Sequence, residues 1–201
     1  IPYLDNSNGY NINAYYFSVN EKGTYEVTSK DILGNTSTII FKYLKDSSDT
    51  SAPDIKLQGN GSNLKYQSVM ATITENDTYI TSINLDGKEL PITDEMTSFL
   101  KSINEEGQHT ITATDSFGNT SSKTFIIDKT APIISGVEDG TVTKKSIKIN
   151  CSDELSDIKS IKLNDEVIEE NTFTISKSGV YTLEVMDEAY NINKINFTID
   201  T

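Results

Sequence analysis

Three segments of this chain are versions of one another: Gly23 to Thr36, Gly107 to Thr120 and Gly179 to Ile192. Each runs from a glycine through an alternating stretch to an aspartate, Asp31, Asp115 or Asp187, and then to Asn35, Asn119 or Asn191. The first two copies lie 84 residues apart and the last two 72, with Phe41, Phe125 and Phe197 following in the same register. A repeat of this kind requires each unit to bury a core of its own, so the 201 residues divide into small modules rather than one large domain.

The alternation has period two, which reads as strands throughout. Val69, Ala71 and Ile73 alternate with Met70, Thr72 and Thr74, and 78 residues later Ile147, Ile149 and Cys151 alternate with Ser146, Lys148 and Asn150. Ile83 and Leu85 precede Asp86-Gly87 as Ile161 and Leu163 precede Asn164-Asp165, in each case a strand ending in residues that tolerate positive φ. The strand carrying Tyr25 and Val27, Ile111 and Ala113, or Tyr181, Leu183 and Val185 then leads through an Asp-x-x-Gly-Asn corner to a closing strand. There the aspartate accepts bonds from turn amides and the glycine supplies a left-handed residue. Tyr190 stands where the third copy should have glycine; either Asn191 takes the left-handed role or the turn differs, since forcing a non-glycine residue there costs ~1 kcal/mol or more.

Polar linkers ending in Ala52-Pro53 and Ala131-Pro132 mark module starts, with proline at the first residue of an edge strand. The boundaries follow: 1-48 as the C-terminal part of an incomplete module, then whole modules at 51-130 and 131-201. Aligning Leu4-Asp5 with Leu85-Asp86 places Ile1 near a third strand, so two strands are expected before it in a longer protein. The alternative is that residues 1-45 pair with another polypeptide. The first joint follows a longer polar stretch and is expected to be the looser.

The Asp-x-(Thr/Ser)-Ala-Pro joint, the Gly-x-Tyr entry, the Asp-x-x-Gly-Asn corner and the closing Phe-x-Ile-Asp together resemble bacterial immunoglobulin-like domains. Such domains recur in tandem in surface and secreted proteins of Gram-positive bacteria. The resemblance covers residues 51-201 as two modules and 1-45 as the back half of another. It implies an all-β fold of tandem immunoglobulin-like β-sandwich modules, located extracellularly or at the cell surface. The function it implies is that of a stalk or spacer presenting a functional domain; the alternative is an adhesin or carbohydrate-binding accessory segment. The partners it implies are neighbouring domains of the parent chain and host or cell-wall glycan or protein. Tyr25 and Tyr181 occupy a position resembling the tyrosine corner of sandwich folds, where His109 replaces the tyrosine in the second copy.

Charge excludes one class of partner. Against 30 acidic residues stand 17 basic ones, every one a lysine, for a net charge of −13, and a chain so acidic is repelled by a nucleic-acid backbone. No run of 18 apolar residues reads as a membrane-spanning helix. The single cysteine, Cys151, cannot form an internal disulfide.

No residue set reads as catalytic. His109 lacks a second histidine, serine or cysteine partner and reads as structural. Cys151 takes the inward place of Ile73 with no histidine in its module, which reads as a buried structural thiol. General-acid carboxylates need apolar pockets that sandwiches seldom offer. The region is therefore read as non-catalytic and without an organic cofactor. Calcium is the one metal the pattern admits: Asp31, Asp115 and Asp187 at the corners, Asp128 at the joint, and Asp77, Asp153, Glu154 and Asp157 after the second strand all fall near module ends. The competing reading is that aspartate is simply a good turn residue on a solubilising acidic surface. A Lys to Asn or Asp isopeptide bond has the residue types but no spacing that singles out a trio. Tyr10, Tyr15, Tyr16 and Tyr43 could stack on sugar rings or simply fill a sheet core.

Overall fold

A computed structural model of the chain describes residues 3–5, 12–14, 18, 19, 21, 23–43 and 49–200. Among these the regular structure is entirely strand, as the alternation predicts. Tyr10, Tyr15 and Tyr16, the polar stretch 44–48 of the first joint and the chain around Ile1 lie outside the described residues, so the expectations placed on them do too.

In the first module β1 (Tyr3–Asp5) pairs with β2 (Ile12–Ala14) and β3 (Gly23–Lys30) with β4 (Thr36–Tyr43), both antiparallel. Tyr25 stacks on Phe41 with ring centroids 5.7 Å apart, while Ile39 and Ile40 on β4 remain exposed.

The second set comprises β5 (Asp54–Ser62), β6 (Lys65–Thr74), β7 (Ile80–Leu85), β8 (Lys88–Glu89), β9 (Ser98–Ile103), β10 (Gly107–Asp115) and β11 (Thr120–Ile127). β6 pairs with β5 and β9, and β10 with β11 and β7. Because side chains alternate across a strand, one face of each layer is apolar and the two must meet. They do so in one cluster: Ile55, Val69, Ala71, Ile73 and Ile103 from the first layer against Ile80, Ile83, Ile111, Ala113, Phe125 and Ile127 from the second. Each isoleucine so buried stabilises the fold by about 1.5–3 kcal/mol before the entropy of ordering it is counted.

The third set repeats the arrangement with β12 (Ile133–Ser135), β13 (Val142–Thr143), β14 (Ile147–Ser152), β15 (Ile158–Leu163), β16 (Glu166–Ile168), β17 (Thr172–Ile175), β18 (Gly179–Asp187) and β19 (Ile192–Ile199). The layers are β12-β14-β17 and β13-β19-β18-β15-β16. A separate cluster holds Ile149, Cys151, Leu183, Val185 and Phe197. Gly136, between β12 and β13, has φ 95°, and a Cβ there would lie 2.0 Å from the Lys148 carbonyl oxygen, so only glycine lets the chain cross from one layer to the other. The crossing ends in a short parallel pairing: Thr198 N donates to the Thr141 carbonyl at 2.8 Å and Asp200 N to that of Thr143 at 2.8 Å. In the second set the start of β6 serves instead, with Ile126 N donating to Leu64 O at 2.9 Å and Asp128 N to Tyr66 O at 2.8 Å.

The tight turns form where expected, with φ of 54° and 80° at Asp86 and Gly87 and 50° and 67° at Asn164 and Asp165. The third corner differs from both alternatives drawn from its sequence. Tyr190 itself takes the left-handed conformation, φ 66°, as Gly34 and Gly118 do at 92° and 85°. The turn is kept, and the strain is borne by a tyrosine whose ring lies 5.0 Å from the Lys159 ammonium.

Candidate functional site at the module joints

The corner aspartates have one shared task. Oδ1 of Asp115 accepts from the amides of Phe117 and Asn119 at 2.8 and 2.9 Å, and Oδ2 accepts from Asn119 Nδ2 at 2.8 Å. Asp187 holds Asn191 in the same way, through N at 2.9 Å and Nδ2 at 2.8 Å, and Asp31 holds Asn35 at 2.8 and 2.7 Å. Held there, the asparagine reaches a linker: Asn119 Nδ2 donates to the Asp49 carbonyl at 3.1 Å and Asn191 Nδ2 to the Asp128 carbonyl at 3.0 Å. The hydrogen bonds from Asn35 hold the Asp31 carboxyl below the usual carboxylate range.

At the second joint these parts meet the preceding module. Asp128 is fully buried; its Oδ1 accepts from Thr130 N at 2.9 Å and its Oδ2 from Ser156 Oγ at 2.5 Å. Asp153 Oδ1 shapes the loop that carries Ser156, accepting from the amides of Leu155 and Ser156 at 3.0 and 2.8 Å. Oxygens of Asp128, Asp153 and Asp187 lie within 4.8 Å of one another. Burial, with the charges of Asp153 and Asp187 adding to it, pushes the Asp128 carboxyl above its ordinary value. Glu106, Asp153 and Glu154 line a shallow cavity beside it.

A second group of contacts clamps the modules together. The β5–β6 turn projects onto the third corner, where Ser62 N and Oγ both donate to the Glu188 carbonyl, at 2.7 and 3.0 Å. Ser62 Oγ also bonds the Glu188 carboxylate, and Lys65 pairs with Asp157. Lys159 Nζ donates to Ser62 Oγ at 2.8 Å and to Glu188 Oε2 at 3.2 Å, and Gln67 Nε2 donates to Asn191 Oδ1 at 2.9 Å. The Ser62 bond and then the Lys159 ammonium lower the Glu188 pKa against the effect of its burial. None of Ser62, Lys65, Lys159 and Glu188 stands out in the sequence, because the turn and its partners lie about a module apart.

At the first joint Asp49 Oδ1 accepts from Ser51 N at 2.8 Å, as Asp128 does from Thr130. Glu75 takes the place of Asp153, its Oε1 accepting from the amides of Asp77 and Thr78 at 2.8 and 3.2 Å. Oxygens of Asp49, Glu75 and Asp77 lie within 4.8 Å of one another. Of the metal candidates drawn from the sequence, the structure gathers Asp128, Asp153 and Asp187 at the second joint, brings Asp77 to the first, and leaves Asp31 at an exposed corner. Asp49 and Glu75 were not among those candidates; their signal was the offset that aligns them with Asp128 and Asp153.

His109 and Cys151 are structural. His109 Nε2 lies 2.7 Å from the Glu105 carbonyl and Nδ1 2.7 Å from Asp86 Oδ2. This reproduces the bond four residues back that Tyr181 makes to Lys177 at 2.9 Å and Tyr25 to Glu21 at 2.5 Å. Burial lowers the imidazole pKa, and the bonds to Asp86 and Glu105 raise it by more, so it stands above the ordinary histidine value. Burial pushes the Cys151 thiol up to about 11, far from a reactive thiolate. No lysine is buried among the described residues, so neither core offers a place for an isopeptide bond.

No protein-family model matches the chain, and no curated protein does. Among solved structures it is similar to SGBP-B of the Bacteroides ovatus mixed-linkage glucan utilization locus, in complex with a mixed-linkage heptasaccharide. The identity is 15%, the match covers 95% of this chain and 55% of that one, and the TM-score is 0.26. The chain thus spans about half the length of that structure, and a likeness at this score carries no argument about function.

Proposed function

We propose that this region is a non-catalytic spacer made of tandem immunoglobulin-like modules, of the kind that resembles Gram-positive surface and secreted proteins, holding a functional domain of its parent chain away from the surface. The observation that supports this reading is the clamp of Ser62 on Glu188 and Lys159, which ties one module to the next. A spacer has to transmit orientation, and polar contacts on both sides of a buried linker aspartate restrict rotation at the joint. Relaxation-derived tumbling of residues 51-200 in the intact chain tests it. The two modules are expected to share one rotational correlation time, and the combined variant Ser62→Gly, Lys65→Ala, Gln67→Ala and Glu188→Ala, which removes the side-chain bonds across the joint, about 1.5–3 kcal/mol for each one to a charged group, is expected to split it in two. Independent tumbling of the unaltered modules would sink the reading.

A second reading, an adhesive or carbohydrate-binding accessory segment, is supported by the outer face of β10 and β11. Thr110, Thr112 and Thr114 pair there with Thr124, Ser122 and Thr120 at 2.9, 3.0 and 2.9 Å, and Asn84 and Ser82 on β7 extend the rows. The same face of the third module carries Lys162, Glu184 and Lys194 in one row. An uncharged hydroxyl and amide surface on so acidic a chain suits a neutral glycan. Saturable binding on a glycan array, lost on replacing Thr112 with lysine, would favour this reading over the first.

A further inference from the structure

We propose that Asp49, Glu75 and Asp77, with the hydroxyl of Thr78, form a binding site for one calcium ion at the first joint. Two observations carry this independently of the spacer reading. The first is the close approach of three carboxylates from two segments, with oxygens within 4.8 Å of one another. Calcium binds oxygen at about 2.3–2.6 Å, so ligands across one ion lie up to roughly 5 Å apart. The second is Thr78 Oγ1, which is buried without a hydrogen-bond partner. Its counterpart in the next module, Ser156 Oγ, bonds the linker aspartate at 2.5 Å and approaches Asp153 Oδ1 at 3.4 Å. Thr78 N donates to Glu75 Oε1 at 3.2 Å, which places Thr78 beside the cluster as Ser156 lies beside Asp153, and at this joint its hydroxyl is left over as a neutral oxygen ligand. Asp77 is exposed, which gives the ion a way in and lets water complete its shell.

The second joint is a built-in control. There the hydroxyl of Ser156, the counterpart of Thr78, is taken up by Asp128, and Asn191 occupies Asp187, so no neutral oxygen is left over. Titration of the intact chain with calcium by calorimetry, and with terbium by tyrosine-sensitised luminescence, reads the site directly. One saturable site is expected, with a Kd in the range of about 0.1–1 mM usual for extracellular modules. Glu75→Gln keeps the acceptor for the amides of Asp77 and Thr78, and Asp77→Asn alters only an exposed side chain, so both variants should fold. Each is expected to weaken binding at least tenfold, and Asp128→Asn to leave it unchanged. Absence of saturable binding up to about 10 mM, binding indifferent to both first-joint variants, or binding abolished by Asp128→Asn would each overturn the proposal.

Discussion

At the second joint the linker aspartate receives a hydroxyl from Ser156 and its carbonyl an amide from Asn191, and the turn of the preceding module is fastened by Glu188 and Lys159. At the first joint the carbonyl of Asp49 receives the same amide from Asn119, but Ser116 and Thr81 stand where Glu188 and Lys159 would be, and the Thr78 hydroxyl is buried without a hydrogen-bond partner. The two joints thus share the backbone ties that the corner requires and differ in the side chains that face the neighbour. A common fold fixes where a linker runs, while the side chains at the corner and in the loop after the second strand differ between the two joints.

The comparison breaks most sharply at the core. Phe125→Ala is expected to cost the second module about 3–5 kcal/mol, since the ring is 1% exposed. The third module, with its own cluster around Leu183 and Phe197, should keep its transition. Urea unfolding followed residue by residue would show this, and equal shifts in both modules would mean that the clamp makes them one cooperative unit.

Acid gives a finer test. Asp128 has a raised pKa when folded, so its contribution to stability is fully present below the unfolded value, near 3.8, and is lost as pH rises through the folded one. Glu188 has a lowered pKa, so its contribution is present above the unfolded value, near 4.5, and is lost as pH falls through the folded one. His109, raised like Asp128, contributes stability that is fully present below its unfolded value near 6.5 and lost as pH rises through its folded one. Thermal stability of the 51-200 pair should therefore rise as pH drops from neutrality, first through His109 and further down through Asp128, and fall in the acid range as Glu188 is protonated. Asp128→Asn should remove only the part of the rise below the histidine range and leave the fall, and a monotonic loss from neutrality downwards would contradict the assignment. The smallest effect is expected at Tyr190. Replacing it with glycine relieves about 1 kcal/mol of left-handed strain and gives up a cation–π contact of about 0.5–1 kcal/mol with Lys159, so the melting temperature should move by no more than a few degrees.

Much of the fold was legible because strand alternation and turn chemistry are local. Val69, Ala71 and Ile73 point inward as their spacing requires, Cys151 lies where Ile73 predicts, and His109 makes the bond its place in the repeat suggested. Tyr190 escaped because propensity was overruled: the Asp187 to Asn191 bonds hold the turn whatever residue fills it. The joint escaped for a different reason. Ser62 and Glu188 are joined across 126 residues, and neither composition nor periodicity marks a contact made by the ends of two modules.

The parallel pairings that close the second and third modules have a mechanical side. β13 runs parallel beside the last residues of β19, with Val142 opposite Thr198 and Thr143 opposite Ile199, and the bonds Thr198 N to Thr141 O and Asp200 N to Thr143 O lie side by side between the two strands. Tension along β13 and β19 loads both bonds together in shear instead of opening them one after another; Ile126 and Asp128 make a like pair with Leu64 and Tyr66, but there the partner strand is the second of its set and not the first. Such a patch yields only when both bonds break together, so its resistance to pulling is set by the pair and not by a single bond.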